Sequence, residues 1–451
     1  MTQQVVDSMK QRQPFSSGMA YDPWASSSSQ QVQLDVADIN KTSYEKICSL
    51  IAQKVEQPQV PLAGLILGEA GSGKTHFLRR ILQYIDKTDA LEFFCVLKPL
   101  FDPNLPLQHL LQAIGHDLAY SKPDTPEHSQ LDYFVAKIFI DCVVDELEKT
   151  SHKLSEDDRT RNSKFLEKCE ENPYHVFTTK KYLKRIQNTA VEYLLHLHPD
   201  FDKTFLKVLL QYCEDNKRDI VREWLRGNSL NESDCRLLDI PFQEDVSLAA
   251  VQTRLTTFYR LFERYHFTLV LCFDQLDDLY GVEEIRSFGK MINFVVNQTT
   301  AIVPLVFVRG DNWDTRFRAL LDPATVQRLE SLQTVLQGCF FEQAQRLICR
   351  RIEQSFKDSP ELESIKKAVI AKFPKQGVFS PREVIQKAQR IWEELATGKN
   401  DTVNPVADKS IATEYQRTCE EIDKDFNTLW LPDDGSVYLK TAAQWYLQSR
   451  G

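Results

Sequence analysis

Eight consecutive residues, Gly68-Glu69-Ala70-Gly71-Ser72-Gly73-Lys74-Thr75, have the types and spacing needed to hold a polyphosphate. They fit the pattern G-x-x-x-x-G-K-[ST]. Glycines at 68, 71 and 73 let the backbone turn tightly, with its N–H groups facing inward as an anion nest. A helix that starts directly after the turn adds the positive end of its dipole. Ser72 lies within the turn. Lys74 can reach the β- and γ-phosphates of ATP, and the Thr75 hydroxyl can ligate Mg²⁺. Such a site needs a second acidic group for the metal. Asp274 supplies it, closing the apolar run 269–273, with Gln275, Leu276, Asp277 and Asp278 behind it. Many ATPases place a glutamate after that aspartate, and here the position is Gln275. An amide orients water but cannot take its proton, so hydrolysis is expected to be slow or to use Asp277 or Asp278.

These residues need elements to position them. Residues 62–67 read as a short apolar strand before the glycine turn. Phe77, Leu78, Ile81, Leu82 and Ile85 mark an amphipathic helix after it. Further strands are expected at 91–97, 268–273 and 302–308, with a weaker one at 334–340. Residues 122–250 are polar and helical with no convincing strand, and helices are expected at 134–147, 180–195, 204–213 and 218–225. After residue 341 the chain is helical again. The predicted fold class is α/β: a P-loop-type parallel sheet sandwiched by helices, with a long helical insertion and a C-terminal helical lid. The expected division is a disordered tail (1–36), the first part of the core (37–121), the insertion (122–250), the second part of the core (251–341), the lid (342–397), and a linker with a C-terminal helical segment (398–451). The tail assignment rests on composition: residues 1–33 hold seven Gln and seven Ser and little aliphatic pattern. Within it, Tyr21-Asp22-Pro23-Trp24 is a candidate docking peptide.

Composition narrows the partners. A net charge of −9, with 42% hydrophobic and 26% charged residues, is that of an ordinary globular protein and argues against wholesale coating of nucleic acid. No apolar run approaches the ~20 residues that span a bilayer, so no membrane partner is expected. Ten single cysteines without a CxxC pair suggest neither a zinc site nor a disulfide framework, and point to a reducing cytoplasm.

With these motifs the chain resembles the AAA+ superfamily, in the broad clade of initiator-type ATPases and signalling (STAND-like) NTPases. Asp274-Gln275-Leu276-Asp277 is similar to the initiator-type D-E-x-D box with its Glu changed. The resemblance implies a sensor 1 residue at the end of the strand at 304–308, for which Arg309, Asp311 and Asn312 are the candidates. Leu321-Asp322-Pro323, followed by Gln327-Arg328-Leu329, looks like the segment that presents an arginine finger to a neighbouring subunit. Arg328 is the first choice and Arg316 the second. Phe379-Ser380-Pro381-Arg382-Glu383 opens a lid helix, with Arg382 in the place of a sensor 2 arginine. Val221-Arg222-Glu223-Trp224-Leu225-Arg226-Gly227 is similar to a W-L-x-G element in ATPases of bacterial phage-exclusion and other defence cassettes. The likeness covers roughly residues 38–396, and Gln275 and the insertion depart from the pattern.

Two basic clusters lie in the insertion: Lys180, Lys181, Lys184 and Arg185, and Lys217, Arg218, Arg222 and Arg226. Either can contact DNA; interleaved acids and the net negative charge favour solvated helix faces. The expectation is an ATP- and Mg²⁺-dependent molecular switch, a homo-oligomer that slowly hydrolyses ATP and regulates a DNA-directed or antiviral effector carried on another polypeptide. The alternatives are a non-hydrolysing nucleotide-bound scaffold and a DNA-loading initiator-type ATPase.

Overall fold

A computed structural model describes residues 3–15, 23–24, 34–88, 92–99, 102–121, 126–150, 155–178, 180–242, 247–357 and 359–397. The expected linker and C-terminal helical segment at 398–451 lie outside the described residues. The chain divides into two compact units, one of residues 12–391 and a small one of residues 2–11 with 392–451.

The larger unit is α/β. Its five strands are β1 (Gly64–Gly68), β2 (Glu92–Leu97), β3 (Thr268–Phe273), β4 (Ile302–Val308) and β5 (Gln333–Leu336). They form one parallel sheet in the order β2-β3-β4-β1-β5. β1, β3 and β4 are buried along their whole length, as uninterrupted apolar runs require in a sheet covered on both faces. Side chains alternate between two cores with the period of two that a strand imposes. Leu65, Leu67, Phe93, Cys95, Leu269, Leu271 and Val306 join one apolar cluster; Ile66, Phe94, Val270, Cys272 and Leu305 join the other. The second cluster is closed by helices Lys41–Glu56 and Lys74–Lys87, through residues such as Ile47, Ile51, Phe77 and Ile81.

The weak last strand is shorter than expected. β5 ends at Leu336, since Gly338 at φ +88° turns the chain so that Cys339 pairs with Phe379 instead. The edge of the sheet at β2 is closed by side chains. The Gln130 amide accepts from Phe94 N–H at 2.8 Å and donates to Phe94 C=O at 3.0 Å, while Asp117 accepts from Val96 N–H at 2.6 Å. An edge satisfied in this way offers no free ladder for another strand.

Between residues 126 and 242 the described residues are helical, with six α-helices from Gln130–Thr150 to Glu232–Leu238. Asp202 and Asn231 cap two of them, accepting from Phe205 N–H and Asp234 N–H. Their apolar faces share the cluster on one face of the sheet: Phe134 lies 4.9 Å from Phe262 and 6.2 Å from Phe93, and Phe205 lies 5.9 Å from Phe258. The Trp-Leu-Arg-Gly element is a joint in this packing. Trp224 is buried against Phe205, under the Arg254 guanidinium at 3.8 Å, and Arg254 also donates to Trp224 C=O. Gly115 and Gly227 let the backbones meet. A Cβ at Gly115 would fall 3.1 Å from Arg226 Cα, and Gly227 has φ +74° beside Leu111.

Of the expected tail, residues 3–15, 23–24 and 34–36 are among the described residues. Residues Gln3–Gln11 are helical. In the small unit the Trp392 indole N–H donates to Met9 C=O at 3.2 Å, with both side chains buried. In the larger unit Phe15 is buried, and Trp24 stacks on Tyr120 at 5.3 Å. Gln/Ser-rich composition does not report a few apolar residues that find distant acceptors.

Candidate nucleotide-binding site

The strand register brings the site together. Leu67 is paired with Val308, Phe273 with Val306, and Leu97 with Phe273. Gly68, Arg309, Asp274 and Lys98 therefore all emerge at the carboxyl edge of the sheet. The connections from β1 and from β4 leave to opposite sides there, which opens a crevice where ligands bind in open α/β sheets.

The glycine turn has the predicted form. Gly71 and Gly73 take φ +80° and +97°, and helix Lys74–Lys87 begins immediately after. A side chain is excluded at two points: a Cβ at Gly68 would fall 2.5 Å from Ser72 Oγ, and one at Gly71 would fall 2.7 Å from Arg382 Cβ. Ser72 is buried in the turn and donates its N–H to Glu69 C=O at 3.1 Å.

Lys74, Thr75 and the acidic box converge across about two hundred residues of sequence. Thr75 Oγ1 donates to Asp274 Oδ2 at 3.3 Å. Lys74 Nζ donates to Gly68 C=O at 2.7 Å and to Asp277 Oδ2 at 3.0 Å. Asp274 is 1% exposed. Burial pushes its carboxyl above the ordinary range, against the Gln275 N–H, the Thr75 hydroxyl and the charges of Lys74 and Lys98. A buried carboxylate facing one hydroxyl offers hard oxygen donors, the set that Mg²⁺ takes together with phosphate oxygens and water. Among the described residues no group of three or more His, Cys, Asp or Glu makes a metal site from protein alone.

The sensor candidates lie beside the same carboxylates. Asp277 Oδ1 accepts from Arg309 N–H at 3.0 Å and from Asn312 Nδ2 at 2.8 Å. The Arg309 side chain pairs with Asp311 at 2.6 Å and approaches Glu69 at 3.7 Å. Gln275 is exposed at the cavity wall and sits at φ +60°, a strained position for a residue with a side chain. Arg382 lies over the turn, its N–H donating to Gly71 C=O at 3.3 Å, so the start of helix Pro381–Thr397 roofs the phosphate end as a lid would. The two finger candidates differ. Arg328 is outside the cavity, closing the end of helix Val282–Gln298 through Val296 C=O at 2.9 Å and Asn297. Arg316 is turned inward, donating to Asn312 Oδ1 and Leu279 C=O.

Above the turn is a cavity of about 720 Å³. One wall is apolar, with Pro14, Val36, Ile39, Leu347 and Ile385. The lining also holds Asp35, whose carboxylate meets His76 Nε2 at 2.8 Å and Arg80 Nε at 3.7 Å. Burial opposes its ionisation, but the His76 hydrogen bond and the charges of His76, Arg80 and Arg350 hold its carboxyl below the ordinary range. This part of the lining was not legible in the sequence, where Asp35 is one acid in a polar tail.

The second basic cluster of the insertion is spent within its own helices: Lys217–Glu214, Arg218–Asp215, Arg222–Asp219 and Arg226–Glu223 are all three residues apart. The side chains of Lys180, Lys181, Lys184 and Arg185 lie outside the described residues. No helix among the described residues is long and apolar enough to cross a membrane. No family model matches the chain, and neither a curated protein nor a solved structure matches it.

Proposed function

We propose that the chain binds ATP with Mg²⁺ and hydrolyses it slowly, as a cytoplasmic molecular switch of the AAA+/STAND-like type. One observation carries this reading: Lys74, Thr75 and Asp274 meet under a cavity that Arg382 roofs. In it, the glycine-turn N–H groups and Lys74 hold the phosphates, Thr75 and Asp274 hold the metal, and the apolar wall takes the base. The bound metal would neutralise charge on the transferred phosphoryl group. Gln275 orients water without accepting its proton, which keeps turnover slow and the ATP-bound state long-lived.

Its proposed partners are further copies of itself, to which Arg328 is offered as the finger, and a DNA-directed or antiviral effector protein in trans. DNA contact falls to the insertion through Lys180, Lys181, Lys184 and Arg185. A steady-state ATPase assay with and without DNA tests the reading. A switch gives slow turnover that DNA leaves unchanged unless the effector is present. A scaffold gives none in either case, and a DNA-loading initiator gives DNA-stimulated turnover.

A further inference from the structure

We propose that Asp277 is a built-in counter-ion that holds Lys74 until phosphate displaces it, and that its release is relayed through Asn312 and Arg316 to the exposed turn at Tyr280–Val282. The inference rests on the nucleotide reading above and adds the regulation of that site.

Lys74 has three N–H donors. One is given to Gly68 C=O at 2.7 Å and one to the Asp277 carboxylate at 3.0 Å. A phosphate entering the turn needs those donors. The Gly68 carbonyl is neutral and fixed at the end of a buried strand, so it tolerates the newcomer. Asp277 carries the same sign of charge as the phosphate and competes for the same cation, so it is the partner that yields. Its other oxygen stays anchored by Arg309 N–H at 3.0 Å and Asn312 Nδ2 at 2.8 Å. Loss of Lys74 therefore turns the carboxylate about that anchor rather than freeing it.

The anchor is the first link of a continuous chain. Asn312 Oδ1 accepts from Arg316 Nη1 at 3.2 Å, and Arg316 Nη2 donates to Leu279 C=O. The Arg316 guanidinium lies 5.0 Å from the centre of the Tyr280 ring. Asp277, Leu279 and Tyr280 belong to one short turn, so the turn is tied at both ends to the segment after β4. Its outer face shows two large apolar side chains, Tyr280 at 76% and Val282 at 49% exposure. Without nucleotide Asp277 receives three donors, and its part in the proposal is to hold and release Lys74. It is a positioning residue.

The test pairs two readouts on the full chain. ATP is titrated in EDTA, where metal ligation plays no part, into wild type, Asp277→Asn and Asp277→Glu. Hydrogen exchange over residues 276–284 is followed by mass spectrometry with and without saturating ATP. Asp277→Asn should bind ATP about three- to tenfold tighter, the size expected when one half-buried charge competitor is removed. Asp277→Glu should return towards wild type. In wild type, exchange at 276–284 should accelerate about twofold or more with ATP. In Arg316→Ala it should be fast throughout and indifferent to ATP. Weaker or unchanged binding by Asp277→Asn overturns the counter-ion role, and ATP-insensitive exchange in a wild type that binds ATP overturns the relay. A wild type that binds no ATP in EDTA or Mg²⁺ fails the nucleotide reading itself, which a blank titration shows separately.

Discussion

At the carboxyl ends of the strands, charged groups find partners far along the chain: Lys74 pairs with Asp277, and Thr75 with Asp274. In the helical insertion the basic side chains at 217–226 pair one turn away on the same helix or its flank. The difference separates charge poised for a ligand from charge already committed within the insertion, where Arg222 also donates to the Tyr212 hydroxyl at 2.9 Å and Lys217 to Gln211. A local pair forms as soon as its helix does, and exposed examples are worth a few tenths of a kcal/mol. A long-range pair exists only after the sheet has assembled, and a phosphate entering the turn can contest Lys74 with Asp277. The insertion is held by apolar packing with internal polar contacts such as Tyr212 to Asp132 at 3.1 Å, and the strand ends by polar contacts that a ligand can replace.

That contrast breaks first, if it breaks at all, at Trp224. Trp224→Ala should cost about 3–5 kcal/mol of stability by denaturant melting, with ATP affinity of the folded protein unchanged. A large loss of affinity at wild-type stability would mean that the insertion takes part in nucleotide binding. At the strand ends, Gln275→Glu should raise kcat for ATP by about a hundredfold, the lower end of what general-base help supplies. A fall instead would assign the base to Asp277 or Asp278.

Asp274→Asn gives a smaller and opposite-signed effect on stability. Burial raises the Asp274 carboxyl above its unfolded value, so its contribution is fully present below the ordinary Asp range and is lost as pH rises through the folded value. Once pH has risen through the folded value, the ionised group costs the fold stability. Asp274→Asn should melt slightly higher, by no more than a few degrees, without ligand, yet gain less from Mg²⁺·ATP. Its melting temperature should also lose part of the wild-type fall between acid and neutral pH. The smallest effect belongs to the exposed pair Arg236–Glu232, where Arg236→Ala should change stability by less than about 0.5 kcal/mol.

Much of this contrast was readable beforehand where the signal is local. Gly68–Thr75 is contiguous, and the glycines at 71 and 73 announce positive φ by residue type. The buried strands announce themselves as apolar runs too short for core helices. Asp277 stands as a candidate base in the sequence, but its three donors come from two distant segments, the start of helix Lys74–Lys87 and the turn after β4, and only the strand register brings them to one carboxylate. Arg316 is the second finger candidate by sequence, and a lone Arg gives no sign that Leu279 and Asn312 stand ready to accept from it. Asp35 is lost in a Gln/Ser-rich background for the same reason, since its partner His76 is distant in sequence, and nothing in that background marks Phe15 as buried.

The central claim is that the cavity over Gly68–Thr75 holds ATP through Lys74. Thermal melting of wild type and Lys74→Ala over an ATP·Mg²⁺ titration tests it most directly. Wild type should gain about 2.7 kcal/mol at a hundred times its Kd, following RT ln(1 + [L]/Kd), while Lys74→Ala should gain almost nothing at the same concentrations. An equal gain in both proteins would contradict the account, as would no gain in wild type at millimolar ATP.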